Sequence, residues 1–240
     1  QGHGCAHHMQ TPAMIGAAMA LRGVLESSDQ PFEIHVIGTP SEESLDGGKN
    51  EMAAHGGFDH IDVAFMVHGS TLTQLETPSL ALIEMDVEFH GKTAHAGIAP
   101  YAGRSAVDAV TMLQTGLGLM RNHLKDSSRV SNIVLAGGTA VNSVPDFAKV
   151  KVEIRHSSMA YLESVEQWTR EIAQAAAMAT QTQVQITPVA HIYNTTINDA
   201  MGALLMECAE KFACDGIAPP RKDCGSTDFG AVTHRLPSCC

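Results

Sequence analysis

Basic side chains are scarce in this sequence: Lys and Arg number 15 against 26 Asp and Glu, a formal charge of −11 over 240 residues. That balance argues against a nucleic-acid partner, which normally leaves a basic patch. It names no partner, since moderate acidity is ordinary among enzymes. Long apolar runs are missing as well. None approaches the roughly 18 uninterrupted residues of a membrane span, so no membrane partner is expected. There is no internal repeat and no low-complexity tract. The six cysteines (Cys5, Cys208, Cys214, Cys224, Cys239 and Cys240) lack the even spacing of a disulfide scaffold. They read as reduced thiols, and a cytoplasmic setting is expected. An initiator Met is absent too: the sequence opens Gln1-Gly2-His3 and stops at Ser238-Cys239-Cys240. It therefore reads as the middle portion of a longer chain, with both ends missing.

What is present suits a globular protein, with 44% hydrophobic residues and enough length to bury a core. Thr11-Pro12 reads as a helix N-cap followed by proline at the first helical position. Met14, Ile15, Ala18, Leu21, Val24 and Leu25 continue at helical spacing. Phe32–Ile37 reads as a strand leading into Gly38-Thr39-Pro40-Ser41-Glu42-Glu43. A short helix over 48–55 and a buried-type strand over 62–67, ending at His68-Gly69, follow. Alternation of this kind predicts an α/β layer with a mostly parallel sheet. In such sheets functional residues gather beyond the carboxyl ends of the strands, where Glu42, Glu43 and His68 fall.

From about residue 79 the period changes. Ile83, Met85, Val87 and Phe89 alternate with Glu84, Asp86, Glu88 and His90, the pattern of a half-exposed strand. A helix over 105–124, strands over 130–136 and 147–154, a helix over 160–179 and a strand over 184–188 complete a β-α-β-β-α-β order. That is the split βαβ, or ferredoxin-like, unit. The expected organisation is a catalytic α/β domain over 1–78, an inserted ferredoxin-like lid or dimerisation domain over 79–190, and a return to the first domain over 191–240.

Several residues carry metal-type chemistry. Cys5-Ala6-His7 sets a thiol and an imidazole two positions apart, within reach of one ion or two neighbouring ones. Glu42-Glu43 alone is the pattern of a solvated charge pair, and a lone His68 after an apolar run is more often structural than a ligand. Jointly, one Cys, two His and two Glu make a mixed N/S/O donor set that suits zinc better than magnesium or calcium. A glutamate not used as a ligand is then free to act as a base.

These segments resemble the zinc metallopeptidase superfamily of the aminoacylase/carboxypeptidase type, in its amidohydrolase branch. The likeness rests on Gly2-His3-Gly4-Cys5-Ala6-His7, Gly38–Glu43 and Val67-His68-Gly69. It extends to Gly91–Ala96, Gly103–Ala106, Gly137–Pro145, Val152–Arg155 and Gly225–Gly230, in the order the family has them. The dipeptidase-like and p-aminobenzoyl-glutamate hydrolase members look most similar. The resemblance implies that Cys5, His7, Glu43 and His68 are ligands of one or two divalent ions, with Cys5 bridging. Zinc is expected, with manganese or cobalt as substitutes. It implies that Glu42 is the general base, that His95 stabilises the oxyanion across a homodimer, and that Asn142 and Arg155 hold the substrate, an N-acyl amino acid or a small dipeptide. His3 and His8 take no ligand role. The sequence departs from the family at Ala6, where glycine is usual in a loop that wants positive φ, and at His8, where Asp or Asn is usual. The family's last metal histidine lies beyond the Gly225–Gly230 motif, and His234 is too close to replace it. Two other readings stay open. One is a non-catalytic binding or dimerisation homologue, or an inactive fragment. The other is a cysteine hydrolase with Cys5 as nucleophile.

Overall fold

The computed structural model describes residues 2, 4–44, 47–75, 78–213, 216–220 and 225–240. Cys214, Cys224 and His3 lie outside them. The chain divides into two compact units, residues 1–79 with 195–240, and residues 80–194.

In the second unit, β2 (Ala81–His90), α3 (Ala106–Met120), β3 (Arg129–Ala136), β4 (Phe147–His156), α4 (Met159–Thr180) and β5 (Gln183–Ile192) follow in the order β-α-β-β-α-β. The sheet order is β3-β4-β2-β5, antiparallel throughout. Both helices are capped by serine: Ser105 accepts from the Asp108 N–H and Ser158 from the Tyr161 N–H. The buried face of α3 (Ala109, Val110, Leu113, Leu117, Met120) recurs at three- and four-residue spacing. It meets Leu162, Val165, Ala173 and Ala176 of α4 over Met85, Val87, Val150 and Val152 of the sheet. Leu113 is fully buried there, and truncating such a leucine to alanine costs about 2–5 kcal/mol.

β2 is more deeply covered than the half-exposed strand its alternation suggested. Glu84 is only 6% exposed, because β2 lies between two neighbours. Lysines of β4 also reach across it: Lys151 Nζ lies 2.7 Å from Glu84, and Lys149 Nζ lies 2.7 Å from Asp86 and 2.9 Å from Glu88.

The first unit holds α1 (His7–Leu25), α2 (Gly48–Ala54), β1 (Ala64–Phe65), α5 (Asp199–Phe212), α6 (Gly230–Thr233) and β6 (Ser238–Cys239). The mostly parallel sheet expected here is not found among the described residues. Parallel pairing is limited to two residues of β1 with β6, and to an isolated bridge between Thr73 and Ile217. Phe32–Ile37 takes no strand conformation, since an apolar run becomes a strand only when a neighbour supplies its ladder. The Thr11-Pro12 cap is also corrected. α1 starts at His7 after Ala6, and Pro12 sits in its second turn. No residue of α1 is buried, and Ile15, Met19, Leu21 and Val24 are exposed. The two stretches that make this unit meet at Ser79 and Thr195. There the Ser79 N–H donates to Thr195 Oγ1 (2.7 Å) and the Thr195 N–H donates to Ser79 Oγ (2.9 Å), both buried. No helix among the described residues is long and apolar enough to cross a membrane.

Candidate metal centre

Cys5 and His7 flank a sharp turn. Ala6 sits at φ 54°, ψ 29°, in the left-handed region where a Cβ is normally disfavoured, and α1 begins at once. The loop after β1 lies directly against this turn. A Cβ placed on Gly69 would stand 2.7 Å from Ala6 Cβ and 3.3 Å from the Cys5 carbonyl oxygen. The absence of a side chain at 69 therefore lets His68 lie beside the Cys5–His7 turn. The rings of His7 and His68 meet edge to face at 6.0 Å. His68 Nδ1 is 2.9 Å from the Gly69 carbonyl oxygen, which can only accept. The proton of a neutral ring is thus on Nδ1, and Nε2 keeps its lone pair.

The two carboxylates come from a 3₁₀ turn, Glu42–Ser44, rather than from an extended loop. It is preceded by Ser41 at φ 61°. Glu42 Oε2 and Glu43 Oε1 each lie 3.6 Å from His7 Nε2. One ligand atom each from Cys5, His7 and His68 lies within 4.8 Å of the others, and the same holds for His7, Glu42 and Glu43. Two ligands on a tetrahedral zinc, each about 2.0–2.1 Å from it, stand about 3.3 Å apart, so these separations and this donor set fit a bound divalent ion. A hollow of about 380 Å³ lies alongside, lined by Gly2, Gly4, Cys5, Ala6, His7 and Glu43.

The Cys5 thiol is held above its ordinary pKa. The first cause is its hydrogen bond to Glu43, followed by desolvation and by the negative charges of Glu43 and Glu42. Without an ion the sulfur keeps its proton at neutral pH. That weighs against Cys5 as a nucleophile, which must be a thiolate, and it suits a ligand that loses its proton when a metal binds.

The second unit brings His95 and Asn142 together. The Ala96 N–H donates to the Asn142 carbonyl (2.9 Å), and His95 bridges to Ser143. The Gly97 N–H donates to His95 Nδ1 at 3.2 Å, so the ring proton of the neutral form is on Nε2. His95 and Asn142 are both exposed. Arg155 is not in their company. It stands at the far end of β4 from Phe147, into which the Asn142 loop runs, and that separation is roughly 26 Å at about 3.3 Å per residue. Its guanidinium forms a bidentate pair with Glu153 (2.7 and 2.9 Å), the leading cause of its raised pKa.

Sequence reasoning missed one pair in the first unit. Lys49 Nζ donates to Asp228 Oδ1 at 2.6 Å, and the Lys49 backbone N–H donates to Asp228 Oδ2 at 3.0 Å. Asp228 is fully buried. The Gly225–Gly230 motif was the available signal, but nothing local pointed to Lys49.

Comparison with known proteins bears on this arrangement. A family model described as Peptidase family M20/M25/M40 matches residues 1–240. The chain is 33% identical over 242 residues to a Xaa-Arg dipeptidase of Mus musculus, covering 98% of this chain and 56% of that protein. It is 33% identical over 206 residues to one of the p-aminobenzoyl-glutamate hydrolase polypeptides of Escherichia coli, covering 83% of this chain and 43% of the relative. It thus spans about half the length of the curated relatives it matches. Among solved structures, a dinuclear metal-binding peptidase of the M20 family from Bacillus subtilis superposes with a TM-score of 0.72 at 19% identity, over 99% of this chain and 62% of the other.

Proposed function

Because the chain belongs to peptidase family M20/M25/M40, we propose that it carries the metal site of a hydrolase that cleaves the amide bond of a small dipeptide or an N-acyl amino acid. The convergence of Cys5, His7, His68, Glu42 and Glu43 is the observation that carries this reading. Cys5, His7, Glu43 and His68 are the ligands of one or two divalent ions. The thiol and imidazoles favour zinc over harder ions, and manganese or cobalt can substitute. When bound, such an ion supplies Lewis acidity, which polarises a carbonyl and lowers the pKa of water towards neutrality.

The remaining steps belong to side chains. Glu43 is engaged by both Cys5 and His7, which supports its role as ligand. Glu42, the less exposed carboxylate beside His7, is left to accept a proton from the attacking water and return it to the leaving amine. His95 presents an Nε2–H that can donate to the oxyanion of the tetrahedral intermediate, and Asn142 beside it holds the substrate. Arg155 grips a substrate carboxylate only by giving up or sharing its fork with Glu153. Its distance from Asn142 along β4 favours a homodimer, in which one chain's His95 and Asn142 serve the other chain's site.

Dipeptides ending in arginine and p-aminobenzoyl-glutamate are the first substrates to test, given the relatives' names. The experiment is metal analysis and turnover of Glu42→Gln and Cys5→Ala in a full-length version. Glu42→Gln should keep its metal and lose turnover by orders of magnitude, whereas Cys5→Ala should lose metal. Full activity in both would remove the assignment. A non-catalytic homologue remains the second reading, favoured by the methyl group at Ala6 in a left-handed turn, and absence of metal from that full-length version would select it.

A further inference from the structure

Asp228 stands outside the groups of metal-type donors, yet its carboxylate is fully buried and both oxygens are used. One accepts from Lys49 Nζ, the other from the Lys49 backbone N–H. Lys49 is itself only 12% exposed, and the partners are 179 residues apart in sequence. Stability alone is a poor account of such a pair, because apolar residues of similar volume often serve a buried site as well or better. The informative part is the bond to the main chain. α2 starts at Gly48 after Gly47, which offers no side-chain cap, so the helix begins with orphan N–H groups. Asp228 reaches across the unit to take one of them, and its charge sits where the helix dipole favours an anion.

The start of α2 is also where the Glu42–Glu43 turn is braced. A Cβ on Gly48 would collide with the Pro40 carbonyl oxygen, so the Pro40 backbone lies directly on the first residue of α2. Between them Ser41 and Gly47 both hold positive φ, and a serine stays in that region only when its surroundings determine it. We infer that Lys49 and Asp228 are a positioning pair, which fixes the N-terminus of α2 and through Pro40 holds Glu42 and Glu43 against His7. Neither residue touches the ion or the substrate. The inference rests on the metal-centre reading above.

The test is cobalt(II) titration of the full chain, followed by visible absorption, with a thermal melt alongside. Lys49→Met/Asp228→Leu replaces the pair by apolar residues and should melt within a few degrees of the wild type. Its cobalt affinity should fall roughly 10–100-fold, the range for partners that orient ligands from behind, and its cobalt spectrum should change. Lys49→Arg, which keeps the charge and the backbone N–H, should lose far less affinity than the double variant. If the double variant does not fold, Asp228→Glu keeps the charge, lengthens the arm, and should weaken cobalt binding in the same direction. Unchanged affinity and spectrum in a folded variant, with the wild type binding cobalt, overturns the positioning role alone. A folded wild type that binds no cobalt overturns the metal centre and this inference with it.

Discussion

The contact between Ala6 and Gly69 allows a sharp thermodynamic test, because one methyl group decides whether another is tolerated. Gly69→Ala places a Cβ 2.7 Å from Ala6 Cβ, well inside the roughly 3.5–4.0 Å optimum for two carbons. Overpacking of this sort costs about 1–3 kcal/mol. The next neighbours of the new methyl, the Cys5 carbonyl oxygen at 3.3 Å and Ala6 Cα at 3.8 Å, are far less obstructive. Ala6→Gly acts in the opposite direction. It relieves a left-handed alanine, worth about 1–2 kcal/mol, against about 0.4–1 kcal/mol of added unfolded-chain entropy, for a net gain of about 1 kcal/mol. It also removes the obstructing methyl, so Gly69→Ala made in the Ala6→Gly protein should be nearly neutral. Urea unfolding of the wild type, both single variants and the double variant would give a coupling energy of about 1–3 kcal/mol, within the range for touching residues. Thermal midpoints should follow at about 2–4 °C per kcal/mol. Additivity to within about 0.5 kcal/mol would refute the claim that these loops touch at that point.

Other expectations follow from the same geometry. Lys149 is held above its usual pKa first by Asp86 and then by Glu88, and Lys151 first by Glu84. Their folded values exceed the unfolded ones, so this contribution is fully present below about pH 10.4 and is lost as pH rises through the folded values. Melting temperature should drop less steeply between pH 10 and 12 in Lys149→Met/Lys151→Met than in the wild type, and equal slopes would contradict the assignment. Glu43→Gln replaces the carboxylate that chiefly raises the Cys5 pKa by a neutral, weaker acceptor, so iodoacetamide should label Cys5 of the metal-free chain faster at pH 8. Peptide mapping against exposed Cys208 measures this, and slower labelling would count against the Cys5–Glu43 hydrogen bond. Arg155→Lys should raise KM more than it lowers kcat if Arg155 binds a substrate carboxylate, whereas an unchanged KM would leave Arg155 in a structural role beside Glu153.

The second unit was legible because its signals are local. The periodicity of α3 and α4, the serine caps, and the alternation of β4 each report on residues close in sequence. The first unit was less legible for the opposite reason. Phe32–Ile37 has strand composition, but a ladder depends on a neighbour that composition does not reveal. Thr11-Pro12 looked like a helix start, yet the turn at Ala6 opens the helix earlier. The meeting of Cys5, His7 and His68 could be suspected from donor chemistry, whereas the Ala6–Gly69 contact behind it could not. Lys49 and Asp228 are joined only in three dimensions, and no spacing rule links residues so far apart.

The stitch between Ser79 and Thr195 carries a consequence for how the polypeptide acquires its structure. Residues 80–194 are continuous, and although β2 must wait for β4 and β5, every pairing of this sheet lies within the stretch, so it can fold while the chain is still being synthesised. The first unit has to wait, since β1 cannot pair until β6 has left the ribosome. Closing an open loop of 116 residues costs entropy that grows with the logarithm of its length. An insert that is already folded shortens that search by bringing its own two ends together. Substitutions that slow the βαββαβ unit should therefore delay assembly of the proposed metal centre, and the cysteine and histidine side chains assigned to it would stay dispersed along an unfinished chain in the meantime.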